Sequence, residues 1–331
     1  MIYTPHTKEA LRITFDAHQG QVDKAGIDYV HHPLHLAEQM DTEEEICTAL
    51  LHDVIEDTTW TLDELRAHEI PEASLDAIAL LTHTPQVPYL EYVAALADNA
   101  IAKKVKLADL RHNSDPGRLP HLTPKDIRRI NTYMEARRLL GDEQILLTDR
   151  LILRPWNEAD AEALYAYARD PKVGPIAGWP PHQSIEESRE IIRTVLSMPE
   201  TYAVVLRETL EPIGSVGLLL GDAADPIALD SEAELGYWIG VPHWGHGYIP
   251  EAAHEMLRHA FEDLKLEGVW CICDDTNEKS KRVMEKLNFV YSHTEEGVSC
   301  ELMGDERTYY YTQLPRIAWV AQHSLTVHDN Q

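Results

Sequence analysis

The stretch Gly141-Asp142-Glu143-Gln144-Ile145-Leu146-Leu147-Thr148-Asp149-Arg150-Leu151-Ile152-Leu153-Arg154-Pro155-Trp156 divides the chain in two. Gly141-Asp142 reads as a helix stop, because glycine adopts the left-handed conformation that satisfies the last helical carbonyls. From Leu146 the texture becomes an alternating, strand-like one. Upstream, apolar residues recur at spacings of three and four in segments 42–57, 75–83, 89–98 and 125–140, with polar breaks between them and no convincing strand. Downstream, the reading alternates: a helix at 158–170, strands at 201–208, 211–220 and 233–240, a helix at 250–264, a strand at 269–274, a helix at 277–287, then closing strands.

The expected fold class is therefore multidomain, an all-α helical bundle followed by an α+β domain. Its boundary falls near residues 141–147, giving domains 1–145 and 146–316 and a loosely held tail at 317–331. A length of 331 residues with 44% hydrophobic content suffices for two buried cores. Lysine and arginine total 29 against 56 acidic residues, a net charge of −27, which disfavours a DNA or RNA partner. No run reaches membrane-spanning length, and the opening MIYTPHTKEALRI lacks the basic start and apolar stretch of a signal peptide, so a soluble, cytoplasmic protein is expected. Four cysteines are too few for a disulfide framework. Cys271 and Cys273 sit in an apolar alternation, GVWCICDD, that reads as a buried strand rather than a metal pair.

Chemistry in the first half concentrates at His52-Asp53, with Glu56-Asp57 one turn on. On a continuous helix His52 lies over Glu56 and Asp53 over Asp57, among the apolar Ala49, Leu50, Leu51, Val54 and Ile55. Burying so many ionisable groups calls for partners, and a bound cation is the usual one. His32, flanked by His31 and His35 and followed by Pro33, and Asp109 in KLADLRHN are further candidate ligands. Imidazole and carboxylate without thiolate suit Mn²⁺, Zn²⁺ or Fe²⁺.

The ordered segments YVHHP, LLHDVIEDT and VKLADLRHN resemble the metal-dependent HD hydrolase domain of the RelA/SpoT alarmone enzymes, especially the small stand-alone alarmone hydrolases. The resemblance covers about the first 140 residues and implies an HD-domain bundle. It makes His32, His52, Asp53 and Asp109 the four metal ligands, with Glu56 and Asp57 orienting or deprotonating the attacking water, and Asn113 touching the nucleotide. The implied activity is release of pyrophosphate from the 3′ position of (p)ppGpp-like nucleotides, with Mn²⁺ as the cofactor, or another divalent metal such as Zn²⁺ or Fe²⁺. Upstream, where the family carries an Arg-Lys-Ser-like run, this chain reads Val22-Asp23-Lys24-Ala25. Lys24 is available for a phosphate, while Asp23 replaces the arginine that contacts the base, so guanine and adenine alarmones both stay open. Lys103, Lys104 and Lys106 form a further basic run, either a phosphate patch or a solvated face.

In the second half, Pro242-His243-Trp244-Gly245-His246-Gly247-Tyr248 runs from a strand into a helix, and its glycines permit close backbone approach to a pyrophosphate. With TDRLILRPW before it, AELGYWIG leading in and Asn277 to Phe289 after it, the region from about 147 to 315 resembles the GNAT N-acetyltransferases of the RimJ/RimL-like branch. That resemblance implies a mixed, mostly antiparallel central sheet and acetyl-CoA as cosubstrate. Backbone amides around Trp244, Gly245, His246, Gly247 and Tyr248 would cradle its pyrophosphate, Asn277 would hold the pantetheine arm, Ser280 would protonate the leaving thiolate and Glu234 would act as base. Glu234 also reads as a solvent-facing strand residue and Ser280 as a helix-surface hydroxyl. Tyr237 and Trp238, on opposite faces of their strand, read as packing residues. The acceptor amine is left open. The whole reads as a bifunctional enzyme, an alarmone pyrophosphohydrolase fused to an acetyltransferase. The alternative is an HD phosphohydrolase of another nucleotide regulated by an acetyl-CoA-binding GNAT module.

Overall fold

A computed structural model describes residues 1–119, 121–225 and 227–324. The chain forms two compact units, Met1–Ile145 and Leu146–Gln331.

Unit one is helical: α1 Pro5–Ala17, α2 His31–Ala37, α3 Glu43–Leu51, α4 Val54–Asp57, α5 Leu62–Ala67, α6 Glu72–Leu81, α7 Tyr89–Ala95, α8 Ala100–Asn113 and α9 Pro124–Leu139. Its described residues contain no strand, only an isolated bridge between Val22 and Asp28. Threonines start several helices. Thr42, Thr61 and Thr123 each accept from the third helical amide while that residue's carboxylate caps back, so two orphan donors are satisfied at once. The core is built on α3, where Ile46, Cys47, Ala49, Leu50 and Leu51 are all fully buried against α1, α2, α6 and α8. A helix apolar on nearly every side belongs at the centre of a bundle. Gly141, at φ 77°, follows α9 as the helix stop read from the sequence.

One expectation is corrected here. Segment 42–57 is not one helix: α3 ends at Leu51, His52 and Asp53 form a turn, and α4 resumes for a single turn. His52 Nδ1 donates to the Ala49 carbonyl at 2.9 Å, and Asp53, at φ −100°, ψ −5°, is the N-cap residue of α4. The Asp57 amide still bonds back to Asp53 O at 2.8 Å.

Unit two carries a single sheet of eight strands: β1 Leu146–Leu147, β2 Leu151–Arg154, β3 Thr201–Leu206, β4 Pro212–Leu220, β5 Glu232–Ile239, β6 Gly268–Asp274, β7 Val290–Cys300 and β8 Asp305–Pro315. Their order is β1-β2-β3-β4-β5-β6-β8-β7, antiparallel throughout except for β5 and β6. That parallel pair is the one joined by a helical crossover, α12 Tyr248–Arg258, as parallel pairing requires. Its ladder covers only Glu232 to Glu234 against Gly268 to Trp270. β5 then stays on β4 to Ile239 and β6 stays on β8 to Asp274, so the two part and open a cleft in the sheet.

The other helices are α10 Ala161–Ala168, α11 Ile185–Thr194, α13 Glu278–Lys286 and α14 Arg316–Ser324. Helix α14 replaces the first part of the tail expected from 317: Trp319 is buried and packs on Phe261 with ring centroids 5.6 Å apart. Residues 325–331 of that expectation lie outside the described residues. Cys271 and Cys273 are buried in β6, the reading given from its alternation. No helix among the described residues is long and apolar enough to cross a membrane.

Candidate functional site

In the helical unit, four side chains from three segments converge. α2 presents His32, the turn after α3 presents His52 and Asp53, and α8 presents Asp109. Ligand atoms of His32, His52 and Asp109 all lie within 4.8 Å of one another, and all three residues are buried. Asp53 Oδ2 is 2.8 Å from His52 Nε2 and 3.8 Å from His32 Nε2, and Asp109 Oδ1 is 3.2 Å from His32 Nε2. Yet neither buried Nε2 makes a hydrogen bond of acceptable direction. Nitrogens and oxygens that face one another without an aligned N–H are what a shared cation between them requires, so the donor set fits a divalent metal. The second ring nitrogens support this. His52 Nδ1 is held by Ala49 O, and His32 Nδ1 lies 2.6 Å from His112 Nδ1, so a proton on each Nδ1 leaves each Nε2 lone pair directed inward. Burial, with His32 and Arg118 nearby, holds His112 down at about 3, so it is a neutral acceptor.

Without a cation the charges compensate one another. Burial opposes the imidazolium of His52, but Asp53 and Asp109 outweigh it and push His52 up to about 9. Burial likewise works against the Asp53 carboxylate, and His52 outweighs it and brings Asp53 down to about 2. Asp109 accepts from Lys106 Nζ at 2.9 Å and from Asn113 Nδ2 at 2.5 Å, and Tyr29 Oη donates to Asp53. Asp57 is raised by burial and by the Asp53 and Glu56 carboxylates, a shift that favours taking up a proton. Glu56 receives the His83 amide at 3.1 Å.

Beside the cluster lies a cavity of about 280 Å³ whose wall includes Lys24, Tyr29, His32, Asn113, Arg118 and Tyr133. Asp23 is spent on structure. Its Oδ1 accepts from the Ala25 and Ile27 amides and its Oδ2 from Arg118 Nη2 at 2.9 Å, so a cation from a distant segment stands where the sequence showed an acid. The basic run is largely internal: Lys104 pairs with Asp41 and Glu45, and Lys106 with Asp109.

In the second unit, a pocket of about 870 Å³ is lined by Tyr237 to Ile239 at the end of β5 and walled by the starts of α12 and α13. Gly245 and Gly247 take φ 80° and 78°, and α12 starts at Tyr248, so the free first-turn amides of α12 open at the pocket wall. Trp244, Gly245, Gly247, Tyr248, Asn277 and Ser280 line it. His246 is outside the lining, and its carbonyl accepts from Arg150 Nη1 at 3.0 Å. Asn277 caps α13, its Oδ1 accepting from Ser280 N at 3.1 Å. Glu234 also lies outside the lining. It accepts from the Asp225 amide at 2.9 Å, and burial raises it above the ordinary carboxylate range.

A family model described as the acetyltransferase (GNAT) domain matches residues 150–290. The uncharacterized N-acetyltransferase YoaA of Bacillus subtilis is 30% identical over 176 residues, which are 51% of this chain and 94% of that one. The chain belongs to the GNAT acetyltransferases. The uncharacterized N-acetyltransferase p20 of Bacillus licheniformis is 28% identical over 151 residues, 44% of this chain and 82% of its own. A guanosine-3′,5′-bis(diphosphate) 3′-pyrophosphohydrolase of Haemophilus influenzae is 33% identical over 152 residues, 40% of this chain and 22% of its own, so this chain spans about a fifth of that relative.

In the GNAT unit, sequence reasoning missed Tyr237. Read as packing, it lines the pocket, and its Oη is 2.8 Å from Ser280 Oγ. Lys279, Arg282 and Lys286 also line the pocket from one face of α13, a spacing of three and four that the sequence already carried. In the helical unit it missed His112, Tyr29 and Arg118, which act on the ligands or the cavity wall from positions far apart in the chain. His31 and His35 are exposed, and of the three histidines only His32 enters the cluster.

Proposed function

We propose that the chain is a bifunctional cytoplasmic enzyme: a metal-dependent nucleotide 3′-pyrophosphohydrolase at residues 1–145 joined to an acetyl-CoA-dependent N-acetyltransferase at 146–316. The observation that carries the first half is the convergence of His32, His52, Asp53 and Asp109, with two orphaned imidazole nitrogens, beside a cavity lined by Lys24 and Arg118. Those four residues would hold Mn²⁺, Zn²⁺ or Fe²⁺, which supplies Lewis acidity and lowers the pKa of water. Asp57, its pKa raised, takes a proton from the attacking water, and Glu56 orients that water. Lys24 neutralises phosphate charge, and Asn113, steadied by Asp109 and by Arg118 Nη1 at 3.2 Å, meets the nucleotide. The substrate class is a ppGpp- or ppApp-like alarmone, and the product leaving the 3′ position is pyrophosphate.

In the GNAT unit the amine nitrogen of the acceptor attacks the thioester carbonyl. Glu234 takes the amine proton and Ser280 returns one to the departing thiolate, giving an amide and free CoA. The amides from Trp244 to Tyr248 bind the pyrophosphate of acetyl-CoA and Asn277 its pantetheine arm.

Incubating the purified chain with Mn²⁺ and a panel of nucleotides tests the hydrolase. Pyrophosphate released from ppGpp or ppApp, and lost in Asp53→Asn, is the expected result; both alarmones left intact while a proven hydrolase cleaves them refutes it. A second reading is favoured by Asp23, which stands where the family carries a base-contacting arginine: an HD phosphohydrolase of another nucleotide, with the GNAT unit as its acetyl-CoA sensor. Turnover of a different nucleotide in the same panel, altered by acetyl-CoA, identifies that case.

A further inference from the structure

We propose that Tyr237 is a positioning residue for acetyl transfer, aiming the hydroxyl proton of Ser280 into the pocket. The inference rests on reading that pocket as the acetyl-CoA site and Ser280 as the donor to the departing thiolate. Ser280 is the third residue of α13, its backbone N–H held by Asn277, and its side chain is buried at 8% exposure while lining the pocket. A serine hydroxyl rotates freely unless a neighbour fixes it, and it has one proton to give.

Tyr237 fixes it. Its Oη lies 2.8 Å from Ser280 Oγ, 3.4 Å from Ser280 O and 3.9 Å from Cys271 Sγ. Both oxygens within reach of the phenol proton belong to Ser280, and the hydroxyl is the nearer. Cys271 is a buried thiol whose weak S–H is directed to Tyr237 Oη. Burial pushes the Tyr237 phenol well above its usual range, so it stays protonated and remains a donor. With Cys271 Sγ on its acceptor side, the phenol has its own proton to give, and under this proposal that proton goes to Ser280 Oγ, the nearer of the two oxygens; hydrogen bonds aligned in this sense polarise one another. With its oxygen occupied as an acceptor, Ser280 keeps its own proton for a group on the pocket side.

Because Tyr237 leaves the strand face just past the point where β5 parts from β6, the phenol spans the cleft to α13. A merely structural tie between β5 and α13 occupies the same atoms, so the two roles need separating by kinetics. Hydroxylamine serves as the acceptor, since it needs no dedicated amine site, and CoA release is followed with the full-length chain. In Tyr237→Phe the ring is kept and one hydroxyl is lost. The expected result is a fall in kcat of about tenfold or more, part of the 10²–10⁴ that general acids contribute, with acetyl-CoA affinity by calorimetry unchanged.

Ser280→Ala and the double variant complete a cycle. If Tyr237 acts through Ser280, the double variant is no slower than Ser280→Ala alone. Additive losses, an unchanged kcat in Tyr237→Phe, or a loss expressed in affinity and thermal midpoint instead of kcat each overturn the proposal. A wild-type chain that binds acetyl-CoA but does not accelerate hydroxylaminolysis overturns it too. Absence of acetyl-CoA binding by the wild type sinks the pocket reading itself, a result distinct from the others.

Discussion

His259 shows how one residue's surroundings set its charge. Its Nε2 is 2.9 Å from Glu200 and its Nδ1 2.8 Å from Asp263, while Tyr202 donates to Glu200 and Arg258 pairs with Asp263. Burial disfavours the imidazolium, but the two carboxylates outweigh it and raise His259 above its ordinary value. A raised folded-state pKa contributes stability fully below the unfolded value of about 6.5, and that contribution fades as pH climbs through the folded value. His259→Gln should therefore lower the thermal midpoint more at pH 6 than at pH 9, by calorimetry on both proteins; an equal loss at both pH values contradicts the charge assignment. At this scale the sequence was legible where chemistry clusters locally. His52-Asp53 and Asn277 were visible as spaced residues, whereas His112, Arg118 and Tyr237 owe their roles to atoms 80, 95 and 43 positions away along the chain. No local spacing encodes such partners.

Helix α13 gathers its cations on one side. Lys279, Arg282 and Lys286 line the pocket and pair with no carboxylate among the described residues, while Lys281, on another face, bridges to Asp275 and Glu278. Lys279 Nζ stands 3.1 Å over the Trp244 ring. In a chain of net charge −27, three unpaired cations on one stripe mark where anionic charge is received. Replacing Arg282 and Lys286 by alanine should weaken CoA more than dephospho-CoA, and the gap should shrink with salt; equal losses for both ligands would place the stripe away from the 3′-phosphate. Elements were well read from periodicity: α7 falls within the segment its spacing marks, α9 starts one residue before its segment, and α6 starts three residues before its own. The break after Leu51 was not, because a side chain bonding back to Ala49 competes with the helix without altering its apolar period.

Helices give way to sheet between α9 and β1, and each unit has a hydrophobic core of its own residues: Leu50 and Ile78 in one, Val216 and Phe261 in the other. Separate cores imply separable losses. His52→Ala should abolish Mn²⁺ binding yet leave acetyl-CoA affinity unchanged, both by calorimetry; a folded variant that loses both contradicts that independence. What the sequence could not reveal is how far each cleft is furnished, since the parting of β5 from β6 is a matter of register between strands 36 residues apart at their first pairing. Carrying both cores on one polypeptide has a consequence for dosage. Every translation event yields the two units one to one, so their ratio lies beyond the reach of gene expression, and any change in their relative output is set by ligand supply and by the turnover of each unit.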